Sequence, residues 1–362
     1  MQRRRMQRIL AVGLPLLTAG LVLAACSSSP SNSGSSNTTT SSAGGNLSGT
    51  LNGSGSSFQT VYMESAISAF KTVQPNMTVN YGAGGSGKGR TDLASGVVNF
   101  AGSDTPIPAA EQANFKGTVL YFPVVIAPIT MSYNLSGVSG LKLDATVIAK
   151  IFQAQITTWN DPAITSLNSG KNLPNTKITV VRRSDSSGTT QNFSDFLVKA
   201  APTTWTLGTA STIAWPATTV GGNGNGGVAS VVKTTPGAIG YVDYPDAKAS
   251  GLSYASVKNQ DGKYIVPSTS SATAAADNST VEPNLTFSAI WAPGASSYPI
   301  TYQSFTLVYE SQTSDTAKLL KAWVGYLVGD GQKLLPTLNY APLPSSIQSK
   351  AKDQVSKIGH TS

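Results

Sequence analysis

The sequence predicts an α/β fold with mixed, mostly parallel sheets. Two observations carry this prediction. Short apolar segments of strand type alternate with segments of helical periodicity along the chain. In addition, about 310 residues remain once the N-terminal segments are set aside, which is enough for two domains of ordinary size.

Hydrophobic periodicity predicts the elements of the first half. Apolar residues at helical spacing indicate helices, and runs rich in Val and Ile indicate strands. The run over 119–131 is rich in Val and Ile and contains two prolines, which predicts strand segments in a sheet. The predicted order is helix 58–71, strand 78–81, short helix 90–95, strand 97–101, strand segments 119–131, and helices 144–152 and 161–167.

The second half continues the same alternation. A compact strand at 178–181 precedes a polar turn and a helix with an apolar face formed by Phe193, Phe196, Leu197 and Ala200. Residues 221–227 are predicted to be a loop because glycine dominates them. The remaining predictions are strand 239–242, an extended segment over 300–309 and a helix over 316–328.

The N-terminus has the anatomy of a lipoprotein export signal. Four arginines between residues 3 and 8 precede the apolar run Ile9–Ala25, and Cys26 follows Leu-Ala-Ala. A transmembrane anchor is the alternative, but 17 apolar residues are marginal for spanning a bilayer. We expect residues 1–25 to be removed. Lipid on Cys26 would then hold the protein on the extracytoplasmic face of the cell membrane.

The segment after the signal is predicted to be a flexible tether. Residues 26–49 are almost entirely Ser, Asn, Thr and Gly, a composition that buries too little apolar surface to become ordered. Cys26 is the only cysteine in the chain, which excludes an intramolecular disulfide and a cysteine-based metal site.

Charge and composition exclude several classes of function. The net charge is +8, and four of those charges lie in residues 1–25, which leaves +4 on the mature chain. Basic runs with interleaved aromatic residues are absent, so no nucleic-acid partner is expected. The only histidine is His360, so a Ser-His hydrolase and a histidine-based metal site are not expected.

A glycine-rich run resembles a nucleotide-binding loop only in part. Gly82–Lys88 fits most of the Walker A spacing, but Gly89 stands where Mg²⁺ binding requires Ser or Thr. The sequence therefore predicts a protein that is not an enzyme and that uses no metal or cofactor. An exported phosphatase and an adhesin with an inactive pocket are the alternative functions.

Three segments rich in Gly, Ser and Thr stand where a helix is expected to begin. They are Gly55–Phe58, Gly84–Gly87 and Ser184–Thr190. The first backbone N–H groups of a helix are unpaired and carry partial positive charge, so each start is a candidate oxyanion site. Ordinary N-capping by Ser or Thr is the alternative at any single start.

Charged side chains accompany the third of these segments, and one more, Asp104, follows the strand predicted at 97–101. Arg182 or Arg183 is a candidate ligand, because a guanidinium offers a planar fork of donors that matches a tetrahedral oxyanion. Asp185 is a natural partner to orient Arg183. Asp104 would repel an anion unless the ligand carries a proton, as phosphate does at neutral pH and sulfate does not. A turn cap before Thr105 is the alternative role of Asp104.

Four stretches of the sequence resemble one protein family. They are FAGSD at 100–104, ITTWNDPAI at 156–164, VVRRSDSSGT at 180–189 and PGAIGYV at 236–242. Over about residues 53–343 the chain resembles the PstS family, the phosphate-binding lipoproteins of the phosphate-specific ABC transporter. The resemblance implies a two-lobed periplasmic-binding-protein fold of type II, with a ligand cleft between the lobes.

The resemblance also implies the residues that contact phosphate. These are Ser57, Phe58 through its backbone N–H, Ser86, Asp104, Arg183, Ser187, Gly188 and Thr189. Asp185 and Ser56 are expected behind them, with Asp185 orienting the arginine. Gly87 and Lys88 depart from the family pattern, which often has two serines followed by glycine; Ser56 or Lys88 could supply the missing group.

The implied organisation places lobe I at 50–129 plus 303–350, lobe II at 134–297 and a C-terminal tail at 351–362. The implied partners are inorganic phosphate and the membrane permease subunits of a phosphate ABC transporter. We further expect a monomer that is held at the membrane only by its N-terminal lipid.

Overall fold

The computed structural model describes residues 46–359. The predicted signal peptide, Cys26, nearly all of the predicted tether and His360 lie outside the described residues. The described chain contains the strands β1 Gly49–Gly55, β2 Met77–Ala83, β3 Phe100–Ser103, β4 Val119–Tyr133, β5 Lys142–Leu143, β6 Thr179–Arg183, β7 Val220–Gly222, β8 Ala238–Asp243, β9 Ser253–Tyr254, β10 Ser256–Lys258, β11 Tyr264–Ile265 and β12 Thr301–Tyr309.

Helices alternate with these strands along most of the chain. The α-helices are α1 Thr60–Val73, α2 Ser86–Ala94, α3 Ala145–Phe152, α4 Pro162–Leu167, α5 Gly188–Ala200, α6 Gly224–Thr234, α7 Tyr244–Ala249, α8 Thr269–Asp277, α9 Ser314–Val328 and α10 Ser345–Gln354. Short 3₁₀ helices occur at Ser57–Gln59, Ala109–Asn114, Asp330–Leu338 and Val355–Lys357.

One mixed sheet runs through the molecule in the order β2-β1-β3-β12-β4-β8-β6-β7, with β9 paired to β4. The long strand β4 belongs to both halves of this sheet, because residues 119–128 pair with β12 and residues 129–133 pair with β8. The outer strands of each half are parallel, whereas β12, β4 and β8 pair antiparallel in the centre. The result is the predicted α/β fold with two lobes, but the sheet is not mostly parallel as predicted, because four of its strand pairs are parallel and four are antiparallel.

Proline shapes the central strand. Ser304 pairs with Val125 while the next residue, Phe305, pairs with Pro123, so Val124 is the extra residue of a β-bulge. Proline cannot donate to a ladder of hydrogen bonds and is tolerated in a sheet mainly at such irregularities. Bulges also redirect neighbouring side chains, and Ser304 points into the candidate site described below.

Most of the predicted helices and strands are confirmed, but the loop predicted at 221–227 is wrong. The structure has β7 and the start of α6 there. Glycine and asparagine disfavour helices, which is why the sequence pattern indicated a loop. The helix forms because Val228, Ala229 and Val232 are fully buried in one cluster with Val242 of β8, and tertiary packing overrides the local propensity.

Three further bounds differ from the predictions. Helix α2 begins at Ser86 rather than near residue 90, because Gly85 takes a φ of +89° and caps it. The strand predicted at 97–101 begins only at Phe100, and Val97 is exposed in the preceding turn. From residue 351 the predicted tail continues α10; Ala351 and Ile358 are fully buried, so this part packs on the fold.

Candidate functional site

The three predicted helix starts converge at the carboxyl ends of strands. The 3₁₀ helix at Ser57 follows β1, α2 follows β2, and α5 follows β6. A fourth start, α6 after β7, joins them: Gly224 N donates to Asp185 Oδ1 at 3.2 Å. Helix starts from both halves of the sheet therefore surround one region, which is the usual position of ligands in α/β folds.

Asp104, just after β3, is buried at the centre of this region. Its Oδ1 accepts hydrogen bonds from Ser56 Oγ and Ser304 Oγ, both at 2.5 Å, and its Oδ2 accepts from Ser86 Oγ at 3.2 Å. The side chain is thus held by three hydroxyl donors rather than acting as a turn cap. Burial raises the pKa of Asp104, although these hydroxyls and the nearby Arg183 act in the opposite direction.

Arg183, the last residue of β6, forms a buried ion pair with Asp185. Its Nε donates to Asp185 Oδ1 at 2.7 Å, its Nη2 donates to Asp185 Oδ2, and its Nη1 donates to Thr189 Oγ1 at 3.2 Å. A guanidinium has five N–H donors, so one on Nη1 and one on Nη2 remain for a ligand. Asp185 thus holds the guanidinium by two hydrogen bonds, while Arg182 is only half-buried.

The ion pair keeps both of its members charged. Burial works against the charge of Asp185, but the hydrogen bonds and charge of Arg183 lower the pKa of this carboxyl below its ordinary value. Burial likewise opposes the charge of Arg183, and Asp185 outweighs it, so the pKa of Arg183 is raised. The site therefore holds a permanent cation.

The first turn of α5 is aimed at the same region. Ser187 is the N-cap, and its Oγ accepts from Thr190 N at 3.0 Å, which leaves its own proton free to donate. Asn192 ties this helix to the other half of the sheet, because its Nδ2 donates to the backbone oxygen of Asp104 at 2.9 Å. The backbone N–H groups of Gly188 and Thr189 begin the helix and have no partner within it.

Gly188 permits this close approach. A Cβ added there would lie 2.3 Å from Ser86 Oγ and 2.6 Å from Asp104 Oδ2. We expect Gly188→Ala to weaken anion binding about tenfold or more, because overpacking costs roughly 1–3 kcal/mol. Isothermal titration of each variant with phosphate measures the effect. Gly226→Ala is the matched control, since the nearest atom to a Cβ at Gly226 would be 3.9 Å away. Equal affinity of the two variants would show that the approach at Gly188 does not matter.

Residues Ser57 and Phe58 are also at the site, in different roles. Ser57 is partly exposed, and its Oγ accepts from Asn225 N at 3.2 Å. The backbone N–H of Phe58, predicted to bind phosphate, donates to Ser56 Oγ at 3.1 Å. The Phe58 ring stacks on Tyr302 at 4.2 Å between centroids. Ser56 thus positions both Phe58 and Asp104.

The departure at Gly87 and Lys88 has a structural reason. A Cβ at Gly87 would lie 1.9 Å from Ser186 Oγ, and Gly87 N donates to Ser186 O at 3.0 Å. Lys88 is exposed and pairs with Asp92 at 2.5 Å on its own helix. Gly87 therefore serves the contact between the halves of the sheet, and Lys88 does not replace a hydroxyl in the site.

Sequence reasoning missed several residues of the site. Ser304 and Tyr302 come from β12, and no local signal distinguishes them from other buried strand residues. Tyr241 accepts from Arg183 N at 2.9 Å, and burial raises its pKa to about 12, so it remains protonated. Asn225 is fully buried within the segment predicted as a loop. The only local sign that Asn225 could be a site residue was its position in the glycine-rich run GGNGNGG at 221–227.

A solvent-open cavity of about 340 Å³ lies beside the site, and its lining includes Ser57, Glu64, Asp185 and Asp246. Within residues 46–359, no group of three or more His, Cys, Asp or Glu side chains is arranged to hold a metal ion. In that same part of the chain, the helices are too short or too polar to cross a membrane.

Comparisons with known proteins agree on one family. A family model described as a PBP superfamily domain matches residues 40–331. The phosphate-binding protein PstS of Pasteurella multocida is 35% identical, covering 84% of this chain and 89% of its own. Phosphate-binding protein PstS 2 of Mycobacterium tuberculosis is 35% identical, covering 95% of this chain and 97% of its own.

A solved structure supports the fold. The phosphate-binding protein from Stenotrophomonas maltophilia superposes with a TM-score of 0.64 at 20% identity, covering 84% of this chain and 93% of its own. At this identity the likeness shows the fold alone, which is the two-lobed arrangement described above. The family model and the two sequence relatives establish that the chain belongs to the PstS family of phosphate-binding proteins within the PBP superfamily.

Proposed function

We propose that this protein binds inorganic phosphate between its two lobes outside the cytoplasm and delivers it to an ABC importer. One observation carries the proposal: a buried carboxylate, Asp104, and a buried guanidinium, Arg183, both lie against the first turn of α5 among converging helix starts. Arg183 Nη1 donates to Thr189 Oγ1 at 3.2 Å, and a Cβ at Gly188 would lie 2.6 Å from Asp104 Oδ2. The arginine and the N–H groups suit an anion, and Asp104 suits an anion that carries a proton. Phosphate meets both conditions.

The proposed ligand contacts are those that the family resemblance implies. Ser57, Ser187 and Thr189 offer hydroxyls, Gly188 and Thr189 offer backbone N–H groups, and Arg183 offers two free N–H groups. The hydroxyl of Ser86, which donates to Asp104 Oδ2 at 3.2 Å, would be shared with the ligand. For Phe58, whose N–H is already bonded to Ser56, the contact would be shared. Asp104 Oδ2 would accept the proton of the ligand. We propose no chemistry on the ligand.

The lobes are proposed to close around a hinge formed by the two segments that connect them, near residues 128–133 and 297–304. Ile129 N donates to Ile300 O at 2.7 Å, which joins β4 to the segment before β12 between the two halves of the sheet. Lobe I would comprise 50–129 plus 303–350, and lobe II 134–297. The protein is proposed to act as a monomer, anchored on the outer face of the membrane through lipid on Cys26.

Uptake of radiolabelled phosphate tests delivery and anchoring together. Cells that lack this protein should take up phosphate poorly at micromolar concentrations and recover with the wild-type gene. Cys26→Ser should appear in the medium instead of the membrane fraction and restore less uptake, because an unanchored receptor is diluted. Unchanged uptake without the protein would contradict delivery, and retention of Cys26→Ser at the membrane would contradict lipid anchoring.

A further inference from the structure

Asn225, in the first turn of α6, connects the two halves of the fold at the candidate site. The residue is fully buried, and its Nδ2 lies 3.3 Å from Ser57 Oγ of the first half. The same nitrogen donates to Thr189 Oγ1 of the second half at 3.2 Å. One amide nitrogen therefore contacts two hydroxyls that the proposed function assigns to phosphate.

The partners of these two hydroxyls determine where their protons can point. A hydroxyl has one proton and accepts at two lone pairs. Ser57 Oγ accepts from both nitrogens of Asn225, and Thr189 Oγ1 accepts from Asn225 Nδ2 and from Arg183 Nη1. All of these nitrogens are donors only. Since the lone pairs are occupied, each hydroxyl proton must point away from them.

The remaining neighbours leave these protons available to a ligand. Tyr302 Oη lies 3.3 Å from Thr189 Oγ1, a long contact that a charged acceptor would displace. Asn225 Oδ1 is buried without a hydrogen-bond partner among residues 46–359, so the nitrogen makes every hydrogen bond of this side chain. An aspartate of the same shape would instead accept from both hydroxyls.

We propose that Asn225 is a positioning residue that sets the hydroxyls of Ser57 and Thr189 as donors to the bound anion. This inference rests on the proposed function. The partial positive charge at the start of α6 would attract an anion without any side chain. The Asn225 side chain adds a separate effect, because it sets the direction in which the hydroxyls of Ser57 and Thr189 donate. The effect should appear in affinity for phosphate, with the fold intact.

Titration of three variants with inorganic phosphate tests the proposal. Asn225→Asp should weaken binding at least about a hundredfold at neutral pH, because two hydrogen bonds to a charged ligand are lost. Asn225→Ala should weaken it about tenfold, since the hydroxyls become free to rotate. Asn223→Asp makes the same change at an exposed position two residues away, and should stay within about threefold of wild type.

The pH dependence separates positioning from packing. As the pH falls, the carboxyl introduced by Asn225→Asp takes up a proton and can donate again. The ratio of its dissociation constant to that of wild type should then decline toward the ratio for Asn225→Ala. A packing defect would leave this ratio independent of pH, and thermal denaturation of each variant reports folding separately.

Two results would overturn the inference. Asn225→Asp could bind as tightly as Asn223→Asp, which would mean that the amide presents its oxygen to the hydroxyls. Alternatively, Asn225→Ala could bind phosphate as tightly as wild type. That result would show that the Asn225 side chain does not position the hydroxyls, even if Asn225→Asp does not fold. Failure of the wild-type protein to bind phosphate is a different outcome, because it would remove the proposed function itself.

Discussion

Replacing Arg183 with methionine is expected to raise the dissociation constant for phosphate about a thousandfold. The variant loses the two N–H groups that Asp185 and Thr189 leave free, and a hydrogen bond to a charged group contributes roughly 1.5–3 kcal/mol. It also leaves the carboxylate of Asp185 unpaired beside the anion. Isothermal titration calorimetry measures the change directly.

The neighbouring arginine provides the matched control. Arg182 is half-buried, and its Nη1 donates to the backbone oxygen of Arg183 at 3.1 Å. Arg182→Met removes the same charge, yet it should change phosphate affinity only a few-fold because its guanidinium is held outside the site. A loss equal to that of Arg183→Met would mean that general charge, rather than directed hydrogen bonds, determines binding.

Folding and binding can be separated at the ion pair. Removing one partner of a buried pair costs about 3–5 kcal/mol of folding stability, because the other charge remains buried. Arg183→Met should therefore melt at a lower temperature than wild type. The double variant Arg183→Met with Asp185→Leu should recover stability without recovering affinity. Restored phosphate binding in the double variant would contradict the role of Arg183.

Asp104→Asn should remove the preference for phosphate over sulfate, changing the affinity ratio at least about a hundredfold. The asparagine oxygen can still accept from Ser56 and Ser304, whereas Nδ2 replaces the acceptor Oδ2. Sulfate then gains a donor in place of an unpaired charge, and the proton of phosphate loses its acceptor. Competition titrations with both anions measure the ratio.

Asp92→Asn is the control for this change. Asp92 also accepts from a serine, Ser54 Oγ at 2.6 Å, but it lies on α2 beside Lys88 and outside the site. The Asp92→Asn variant should keep the wild-type ratio of phosphate affinity to sulfate affinity. If Asp92→Asn and Asp104→Asn alter the ratio equally, selection by the buried carboxylate is refuted.

The pKa of Asp104 gives the sign of two pH effects. Burial raises this pKa in the folded protein, so the ionised carboxylate of Asp104 opposes folding. The folding stability associated with protonated Asp104 is present at low pH and is lost as the pH rises through the raised value. Asp104→Asn should thus be at least as stable as wild type at neutral pH. In wild type, discrimination against sulfate should weaken as the pH falls, because a protonated Asp104 can donate to sulfate.

Local sequence signals predicted much of the site because its main parts are local. Ser187, Gly188 and Thr189 begin one helix directly after Arg183, so a strand–turn–helix pattern brings them together. Asp185 is close to its arginine in the chain, and the ion pair follows from that spacing. Convergence of separate helix starts could be expected only as a general property of α/β sheets.

The parts that were missed depend on contacts between distant segments. Ser304 donates to Asp104, which lies 200 positions away in the chain. The β-bulge between β4 and β12 lies at this serine, and the sequence of β12 does not indicate that bulge. Helix α6 forms against its local propensity because its valines are buried near β8, so Asn225 was hidden in an apparent loop. Tertiary packing, rather than pattern, places both residues in the site.

Titration of the wild-type protein with phosphate, arsenate and sulfate, side by side at neutral pH, tests the central claim most directly. A buried acceptor beside a buried arginine should bind the two anions that carry a proton, phosphate and arsenate, and should discriminate strongly against sulfate. Tight phosphate binding with sulfate weaker by at least about a hundredfold is the predicted result. Sulfate binding as tight as phosphate, or no phosphate binding at micromolar concentrations, would contradict it.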